Sequence, residues 1–374
     1  MDATTQLALL ARIDAHRKAG RGTDTADAVM RVPVDHYTSA VRLDLEKKVL
    51  HSSPALVGLS GLVPEPGSYA TVDIGDRSVV VTRDRRGDVH ALANVCRHRG
   101  AEVAHGCGTA QRLSCPYHGW VYDLDGSGIS RRRDEYFDGD VESLVKLASV
   151  ESDGLIWVNP EPGGAIGPDP SHGAGVELAP FGLERFQLFA STSFTRPLNW
   201  KLAVDTFCEA YHLSSLHKAT LAPMIHDDFA LFDPFGSHGR MIAVRRSISD
   251  LDGLDDAERS LIPHATILYF LVPNTVLIYQ QDHVQLYQSR PGKTPDEAHL
   301  SVNLYVPPDS GRSDSHWQRN FDLLVSVTDS EDFAAAAGIQ RGSHSGAQQE
   351  FVFGRNEPAL QHYHRSIDAL VSSA

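Results

Sequence analysis

The stretch Asn199–His217, Asn-Trp-Lys-Leu-Ala-Val-Asp-Thr-Phe-Cys-Glu-Ala-Tyr-His-Leu-Ser-Ser-Leu-His, places two imidazoles and two carboxylates in a largely apolar segment. Asp205, Glu209 and His212 are spaced i, i+4 and i+7, which predicts one helix with all three on one face. His217 lies about 140° round such a helix from His212, so a shared metal requires an unwound or bulged turn between them. Two imidazoles with a carboxylate suit non-haem Fe(II). Core histidines satisfied by buried acids are the alternative from this stretch alone.

Composition limits the classes of protein to consider. The chain has 374 residues, 41% of them hydrophobic, which is enough for a sizeable core and two domains. A formal net charge of −14 without a Lys/Arg cluster argues against nucleic acid and anionic membrane as partners. No apolar run approaches the ~20 residues that span a bilayer. With four irregularly spaced cysteines and no secretory signal pattern, we expect a cytoplasmic protein without a disulfide framework.

Changes in residue pattern predict three regions along the chain. Residues 1–50 are expected to form an N-terminal helical segment, and residues 51–160 a domain of short antiparallel strands. Prolines and glycines concentrate between residues 159 and 175, which marks the boundary before the region 175–374. In that last region β-rich runs precede helical patterns at 315–339 and 357–371, which predicts an α+β arrangement.

Two short motifs in the β-rich region carry metal-binding side chains. Cys96 and His98 form a Cys-x-His motif, and Cys115 and His118 form a Cys-x-x-His motif, with residues 99–114 between them. Two thiolates and two imidazoles suit a [2Fe–2S] cluster in which the cysteines hold one iron and the histidines the other. A structural zinc site is the alternative, but zinc fingers of this composition pair cysteine with cysteine and histidine with histidine.

The order of these motifs, followed by Asn-Trp-Lys and Glu-x-Tyr-His-x₄-His, resembles the Rieske non-haem iron oxygenases from about Val32 onward. This family comprises the catalytic α subunits of ring-hydroxylating dioxygenases and related monooxygenases. The resemblance implies an α+β fold: an antiparallel-β Rieske [2Fe–2S] domain, followed by a helix-grip (START-like) catalytic domain that holds a mononuclear iron. It also implies that His212 and His217 are two iron ligands.

The remaining site residues are also implied by the resemblance. The third ligand of the family is a carboxylate ahead of Gln-Arg-Gly, and Asp332 precedes Gln340-Arg341-Gly342 at the matching distance. Glu331 and Asp329 are the alternatives for this ligand. Glu209 stands where the family has an acid that links a neighbouring subunit's Rieske histidine to an iron-bound histidine. Asp205, one turn earlier, is expected to be a structural acid or a secondary bridge.

The resemblance implies the terminal oxygenase of a multicomponent system, assembled as a homotrimer. Electrons from NAD(P)H would arrive through a separate reductase, with or without a ferredoxin, because the chain has no Gly-rich dinucleotide fingerprint. With O2, the enzyme is expected to hydroxylate a small aromatic, or aromatic carboxylate, substrate. One alternative is a monooxygenase that acts on an alkyl, N-methyl or O-methyl carbon. Another, from a different class of protein, is a Rieske electron carrier.

Four cationic side chains are candidate anchors for an anionic substrate group. They are His226, Arg240, Arg245 and Arg246. For at least two of the arginines, a solvated position on a strand edge is the competing interpretation.

Overall fold

The structure is a computed structural model that describes residues 1–373. Its strands are β1 (Met30–Pro33), β2 (Ala55–Leu59), β3 (Ser68–Ile74), β4 (Arg77–Arg83), β5 (Val89–Ala93), β6 (Cys107–Thr109), β7 (Leu113–Ser114), β8 (Val121–Tyr122), β9 (Gly128–Ser130), β10 (Lys146–Leu147), β11 (Ser149–Ser152), β12 (Leu155–Val158), β13 (Gln187–Arg196), β14 (Ile225–Phe235), β15 (His238–Arg245), β16 (Ala265–Leu271), β17 (Thr275–Gln280), β18 (His283–Pro291), β19 (Ala298–Val306) and β20 (Glu350–Phe353).

The helices are α1 (Ala3–Lys18), α2 (Asp35–Thr38), α3 (Ala40–Ser52), α4 (Ala174–Leu178), α5 (Trp200–Asp205), α6 (Leu213–Leu216), α7 (Asp314–Val327), α8 (Ala334–Ser343) and α9 (Pro358–Ser373). A π-helix, Thr328–Phe333, joins α7 to α8. Short 3₁₀ turns occupy Asp134–Tyr136, Ala179–Phe181, Leu183–Arg185, Arg246–Leu251, Asp256–Glu258 and Ile262–His264. No helix within residues 1–373 is long and apolar enough to cross a bilayer.

The chain divides into two compact units. One comprises Val49–Pro170 and Leu183–Gln187, and the other comprises Met1–Lys48, Ser171–Gly182 and Leu188–Ala374. The second unit includes most of the N-terminal segment that the sequence pattern set apart as residues 1–50. We call the two units the β unit and the catalytic unit.

The β unit consists of short antiparallel strands, as the sequence predicted. Its five-stranded sheet has the order β10-β5-β4-β3-β6, and two three-stranded sheets have the orders β11-β12-β2 and β7-β8-β9. The β3–β4 hairpin turns through Gly75 and Asp76 between the paired residues Ile74 and Arg77. Gly75 has a φ of 62°, which is the left-handed conformation that a two-residue hairpin turn of this type requires.

The catalytic unit is built on a seven-stranded sheet of order β13-β19-β18-β17-β16-β15-β14. Helix α5 packs against β18 and β19, and helix α9 packs against β14 and β15. This sheet, with helices beside it, confirms the predicted α+β class. The predicted helix over 315–339 is interrupted by the π-helix, which carries Asp332.

Candidate functional site

Two loops of the β unit present the predicted cluster ligands in the same backbone geometry. In the first loop the N–H of Gly100 donates to Cys96 O at 2.9 Å, and in the second the N–H of Gly119 donates to Cys115 O at 2.9 Å. Both glycines have left-handed φ angles, 77° and 70°. The turns that follow the cysteines are therefore alike, and the sulfur atoms are delivered from matching positions of two tight loops.

The imidazoles of these loops meet. Nδ1 of His98 lies 3.1 Å from Nδ1 of His118. Two nitrogens bound to one tetrahedral metal at about 2.1 Å would be about 3.4 Å apart, so the pair fits one iron with little rearrangement. The ring of His98 also stacks on Trp120, with centroids 5.0 Å apart and planes within 3°. Packing thus holds the ligand in its orientation.

The Tyr122 hydroxyl contacts the buried thiol of Cys96 in the same site. The sequence analysis did not identify Tyr122 as a site residue. Its hydroxyl accepts the N–H of Arg97 at 3.1 Å and lies 3.2 Å from Sγ of Cys96. With a cluster bound, Tyr122 would lie within hydrogen-bonding distance of a ligand sulfur, and contacts of this kind tune the reduction potential.

The helix that was predicted to align Asp205, Glu209 and His212 is shorter than expected, and that prediction was wrong. Helix α5 ends at Asp205. The carboxylate of Glu209 accepts the backbone N–H groups of Tyr211 and His212. This side-chain capping competes with helical hydrogen bonding, so the chain unwinds before His212. Helix α6 then occupies the segment between the histidines, where the sequence analysis expected the unwound turn.

The irregular path brings three sequence-predicted ligands together in the catalytic unit. Oδ1 of Asp332 lies 3.1 Å from Nε2 of His217 and 3.7 Å from Nε2 of His212. The three donor atoms lie within 4.8 Å of one another. His217 and Asp332 are buried. Two imidazoles and one carboxylate converging on one point match the donor set of a non-haem Fe(II) centre.

Each histidine of this triad is backed by a carboxylate on its other nitrogen. Nδ1 of His212 bonds to Glu209, and Nδ1 of His217 lies 2.6 Å from Oε2 of Glu331. Such outer partners orient the ring and leave Nε2 for the metal. The role of Glu331 was missed from the sequence, where it appeared only as a rival of Asp332 for the metal.

The same carboxylates shift the pKa values of the two histidines. Burial alone would lower the pKa of His212, but Glu209 and the charge of Asp332 outweigh it and raise the pKa. Burial likewise opposes Asp332 and Glu331 at His217, and the pKa is again raised. A metal must therefore displace protons to bind, so occupancy is expected to fall as the pH is lowered.

Asp205 forms hydrogen bonds with side chains outside this triad. Its carboxylate accepts from the Tyr37 hydroxyl at 2.8 Å and contacts Nε2 of His364 at 2.8 Å. Burial, and next the charge of Asp205, raise the pKa of Tyr37 well above its ordinary value. Asp205 thereby ties α5 to α2 and α9.

Comparison with known protein families identifies the family to which this chain belongs. Residues 183–373 match the family model "Ring hydroxylating alpha subunit (catalytic domain)", and residues 54–136 match "Rieske [2Fe-2S] domain". The chain belongs to the Rieske non-haem iron oxygenases. Oxygenases of this family are oxidoreductases that carry a Rieske [2Fe–2S] cluster and a mononuclear iron, and the two donor sets described above fit these groups.

Among curated Rieske oxygenases, the glycine betaine monooxygenase oxygenase subunit of Chromohalobacter salexigens is 30% identical over 237 residues, covering 61% of this chain and 53% of that protein. The carnitine monooxygenase oxygenase subunit of Escherichia coli is 32% identical over 193 residues, covering 50% and 52%. The chain thus spans about half the length of these relatives. A crystal structure of a quaternary ammonium Rieske monooxygenase superposes with a TM-score of 0.78 at 22% identity, covering 91% of this chain and 96% of that chain.

The carboxylate of Glu209, which bonds to Nδ1 of His212, leads to a testable prediction. Replacing Glu209 with glutamine keeps a hydrogen-bonding side chain but removes the charge that orients and polarises the imidazole. We expect turnover to fall about 10- to 100-fold, the range for outer partners of metal ligands, while the cluster spectrum stays unchanged. Steady-state O2 uptake together with the visible spectrum of the reduced protein measures both. Unchanged turnover would contradict a role for the Glu209 charge.

Proposed function

We propose that this chain is the oxygenase component of a multicomponent Rieske monooxygenase that oxidises an N-methyl group of a quaternary ammonium substrate. The curated relatives carry names of this substrate class, which supports the N-methyl alternative over hydroxylation of an aromatic ring. Electrons come from NAD(P)H through a separate reductase. A ferredoxin and a homotrimeric assembly remain predictions.

In this proposal Cys96 and Cys115 bind one iron of the cluster, and His98 and His118 bind the other. The donor types support this division, since the two imidazoles face each other in the structure. His212, His217 and Asp332 bind the mononuclear iron, supported by their convergence. When bound, that iron would supply a redox-active centre with open positions for dioxygen. The protein would position the substrate and the iron ligands.

The observation that carries the substrate proposal is an aromatic surface formed by Phe207, Tyr287 and Phe333. The rings of Phe207 and Tyr287 pack with centroids 4.4 Å apart, and both line a narrow cavity with Phe333, the residue after Asp332. The Tyr287 hydroxyl lies 3.5 Å from Oγ1 of Thr328 in the π-helix that bears Asp332. Aromatic faces bind quaternary ammonium groups through cation–π attraction.

In the proposed reaction, one methyl carbon is oxidised for each dioxygen consumed. The methylated amine, O2, NAD(P)H and a proton give the demethylated amine, formaldehyde, water and NAD(P)⁺. The substrate C–H carbon and NAD(P)H are oxidised, and dioxygen is reduced. In this chain the aromatic residues position the ammonium group, while Glu209 and Glu331 hold the two histidine rings.

The test supplies glycine betaine with methyl ¹³C labels to the holoenzyme, a compatible reductase and NADH. We expect labelled formaldehyde in a one-to-one ratio with O2 and NADH consumed. The variant His212→Ala should retain the cluster spectrum and form no formaldehyde, which separates an oxygenase from an electron carrier. No formaldehyde from glycine betaine, together with a hydroxylated product from an aromatic carboxylate supplied in a parallel reaction, would overturn the proposal in favour of aromatic ring hydroxylation.

A further inference from the structure

The end of strand β9 places a cationic side chain against the aromatic ring that stacks on His98. Val121 of β8 lies opposite Ser130 of β9. Trp120 precedes β8 and Arg131 follows β9, so these two residues stand opposite each other in the same antiparallel register. The guanidinium carbon of Arg131 lies 5.5 Å from the centroid of the Trp120 ring. Arg131 therefore contacts the indole that stacks on His98, a proposed ligand of the Rieske cluster.

The ring of Phe137 contacts the same three side chains. It lies 5.8 Å from the His98 ring and 5.6 Å from the Trp120 ring, nearly perpendicular to both. The guanidinium carbon of Arg131 lies 4.7 Å from its centroid. The 3₁₀ turn Asp134–Tyr136 lies between Arg131 and Phe137 and returns the chain to this position. Cations within about 6 Å of a ring centroid are attracted to the ring, so both aromatic rings stabilise the charge of Arg131 at this place.

Burial distinguishes Arg131 from the other arginines of the cluster loops. The side chain of Arg131 is only 4% exposed. The other arginines between residues 96 and 133 are all exposed, and they are Arg97, Arg99, Arg112, Arg132 and Arg133. Water and dissolved ions screen exposed charges much more than buried ones. Arg131 is therefore the arginine of these loops whose charge is screened least.

The hydrogen bonds of Arg131 compensate its charge only in part. Nη2 donates to the carbonyl oxygen of Gly139 at 2.5 Å, and Nε donates to Oδ1 of Asp134 at 2.5 Å. Gly139 supplies no charge, and the side chain of Asp134 is 71% exposed. Water therefore screens the anion of this ion pair more than the cation. The buried side of the pair, which packs on the two aromatic rings, is positive.

We propose that Arg131 raises the reduction potential of the Rieske cluster and so favours the transfer of an electron from the reductase to this chain. This inference rests on the proposed function, in which His98 is a cluster ligand. In the transfer the reductase loses one electron and the cluster gains it, and no bond forms or breaks. The reduced cluster carries one more negative charge, so a fixed, poorly screened cation nearby stabilises it relative to the oxidised cluster. Arg131 acts through its charge and touches no substrate.

Redox titration of the holoenzyme at fixed pH, followed by the circular dichroism of the cluster, measures the equilibrium constant for one-electron reduction. Arg131→Gln keeps a donor for the Gly139 carbonyl and removes the charge. We expect this constant to fall about tenfold, which lowers the potential by about 59 mV. Arg131→Lys keeps the charge and loses the planar donors, and its constant should stay within about threefold of the wild type. The control Arg133→Gln removes a cation that is 77% exposed and should leave the constant unchanged.

A further variant leaves Arg131 in place and therefore tests the proposal even if its substitution prevents cluster assembly. Asp134→Asn removes the exposed counter-charge, so the constant should rise. The rise should be smaller than the fall in Arg131→Gln, because water already screens the carboxylate. Thermal melting and the spectrum of the oxidised cluster check folding and cluster content in all variants.

The outcomes separate this inference from the proposed function. An unchanged constant in Arg131→Gln or in Asp134→Asn, with the cluster intact, would refute the role of Arg131 alone. An equal fall in Arg131→Gln and Arg131→Lys would also refute it, since packing or hydrogen bonding rather than charge would then set the potential. A wild type without a Rieske cluster would refute the ligand assignment and this inference with it. None of these measurements depends on which substrate is oxidised.

Discussion

Replacing Asp332 with alanine is expected to abolish turnover and remove the mononuclear iron while leaving the Rieske cluster intact. The carboxylate lies 3.1 Å from Nε2 of His217 and 3.7 Å from Nε2 of His212, and it completes the three-donor set. Two imidazoles alone hold a divalent iron weakly. Iron should therefore fall from about three to about two per chain, the two that belong to the cluster, with sulfide unchanged. Metal analysis and the spectrum of the reduced protein measure this directly.

Asp329 provides the matched control, because it lies in the same π-helix but forms an ion pair with Arg196 at 2.7 Å. This pair is partly exposed, so Asp329→Ala should cost no more than about 1 kcal/mol of stability and leave iron content unchanged. Retention of the third iron in Asp332→Ala, or its loss in Asp329→Ala, would contradict the assignment of Asp332.

Replacing Lys201 with methionine is expected to destabilise the protein by about 1–3 kcal/mol, the cost of removing one charged hydrogen-bond partner from a buried carboxylate. Nζ of Lys201 lies 2.7 Å from Oε1 of Glu46, and both side chains are 1% exposed. Nε1 of Trp200 donates to the same carboxylate at 2.8 Å. In the variant, Glu46 would lose this buried cation and keep its ion pair with Arg42, whose Nε lies 2.9 Å from Oε1. The free energy of unfolding in denaturant titrations measures the loss.

The double variant Glu46→Gln with Lys201→Met tests the cause. Glutamine keeps an acceptor for Trp200 Nε1 and removes the charge, so most of the lost stability should return. If the double variant is as unstable as Lys201→Met alone, then lost packing rather than the buried charge of Glu46 explains the effect. This result would also reassign the role of the Asn-Trp-Lys motif, whose Lys201 also contacts Asn199 Oδ1 at 3.0 Å.

The cluster loops could be predicted from sequence because their chemistry is local. Each loop carries a cysteine and a histidine within four residues, and Gly100 and Gly119 provide the turns. The path of the catalytic segment could not be predicted in the same way. Helical spacing placed Asp205 and Glu209 on one face, but the Glu209 side chain takes backbone N–H groups beyond it and ends the pattern.

The division of roles between adjacent acids also depends on the folded structure. Glu331 and Asp332 are neighbours in sequence, and only the π-helix turns Asp332 towards Nε2 of His217 while Glu331 bonds to Nδ1 of the same ring. Similarly, the sequence analysis named Arg240 and Arg245 together as candidate anchors. In the structure Arg240 is bonded to Glu177 and Asp233, and this pairing cannot be derived from spacing along the chain.

The most direct test of two iron centres in one chain is the content of iron and acid-labile sulfide in anaerobically purified protein. We predict about three irons and two sulfides per chain, with a Rieske-type signal after reduction. Two irons with two sulfides, and no uptake of a third iron, would contradict the mononuclear site. Zinc without sulfide would contradict the account of both sites.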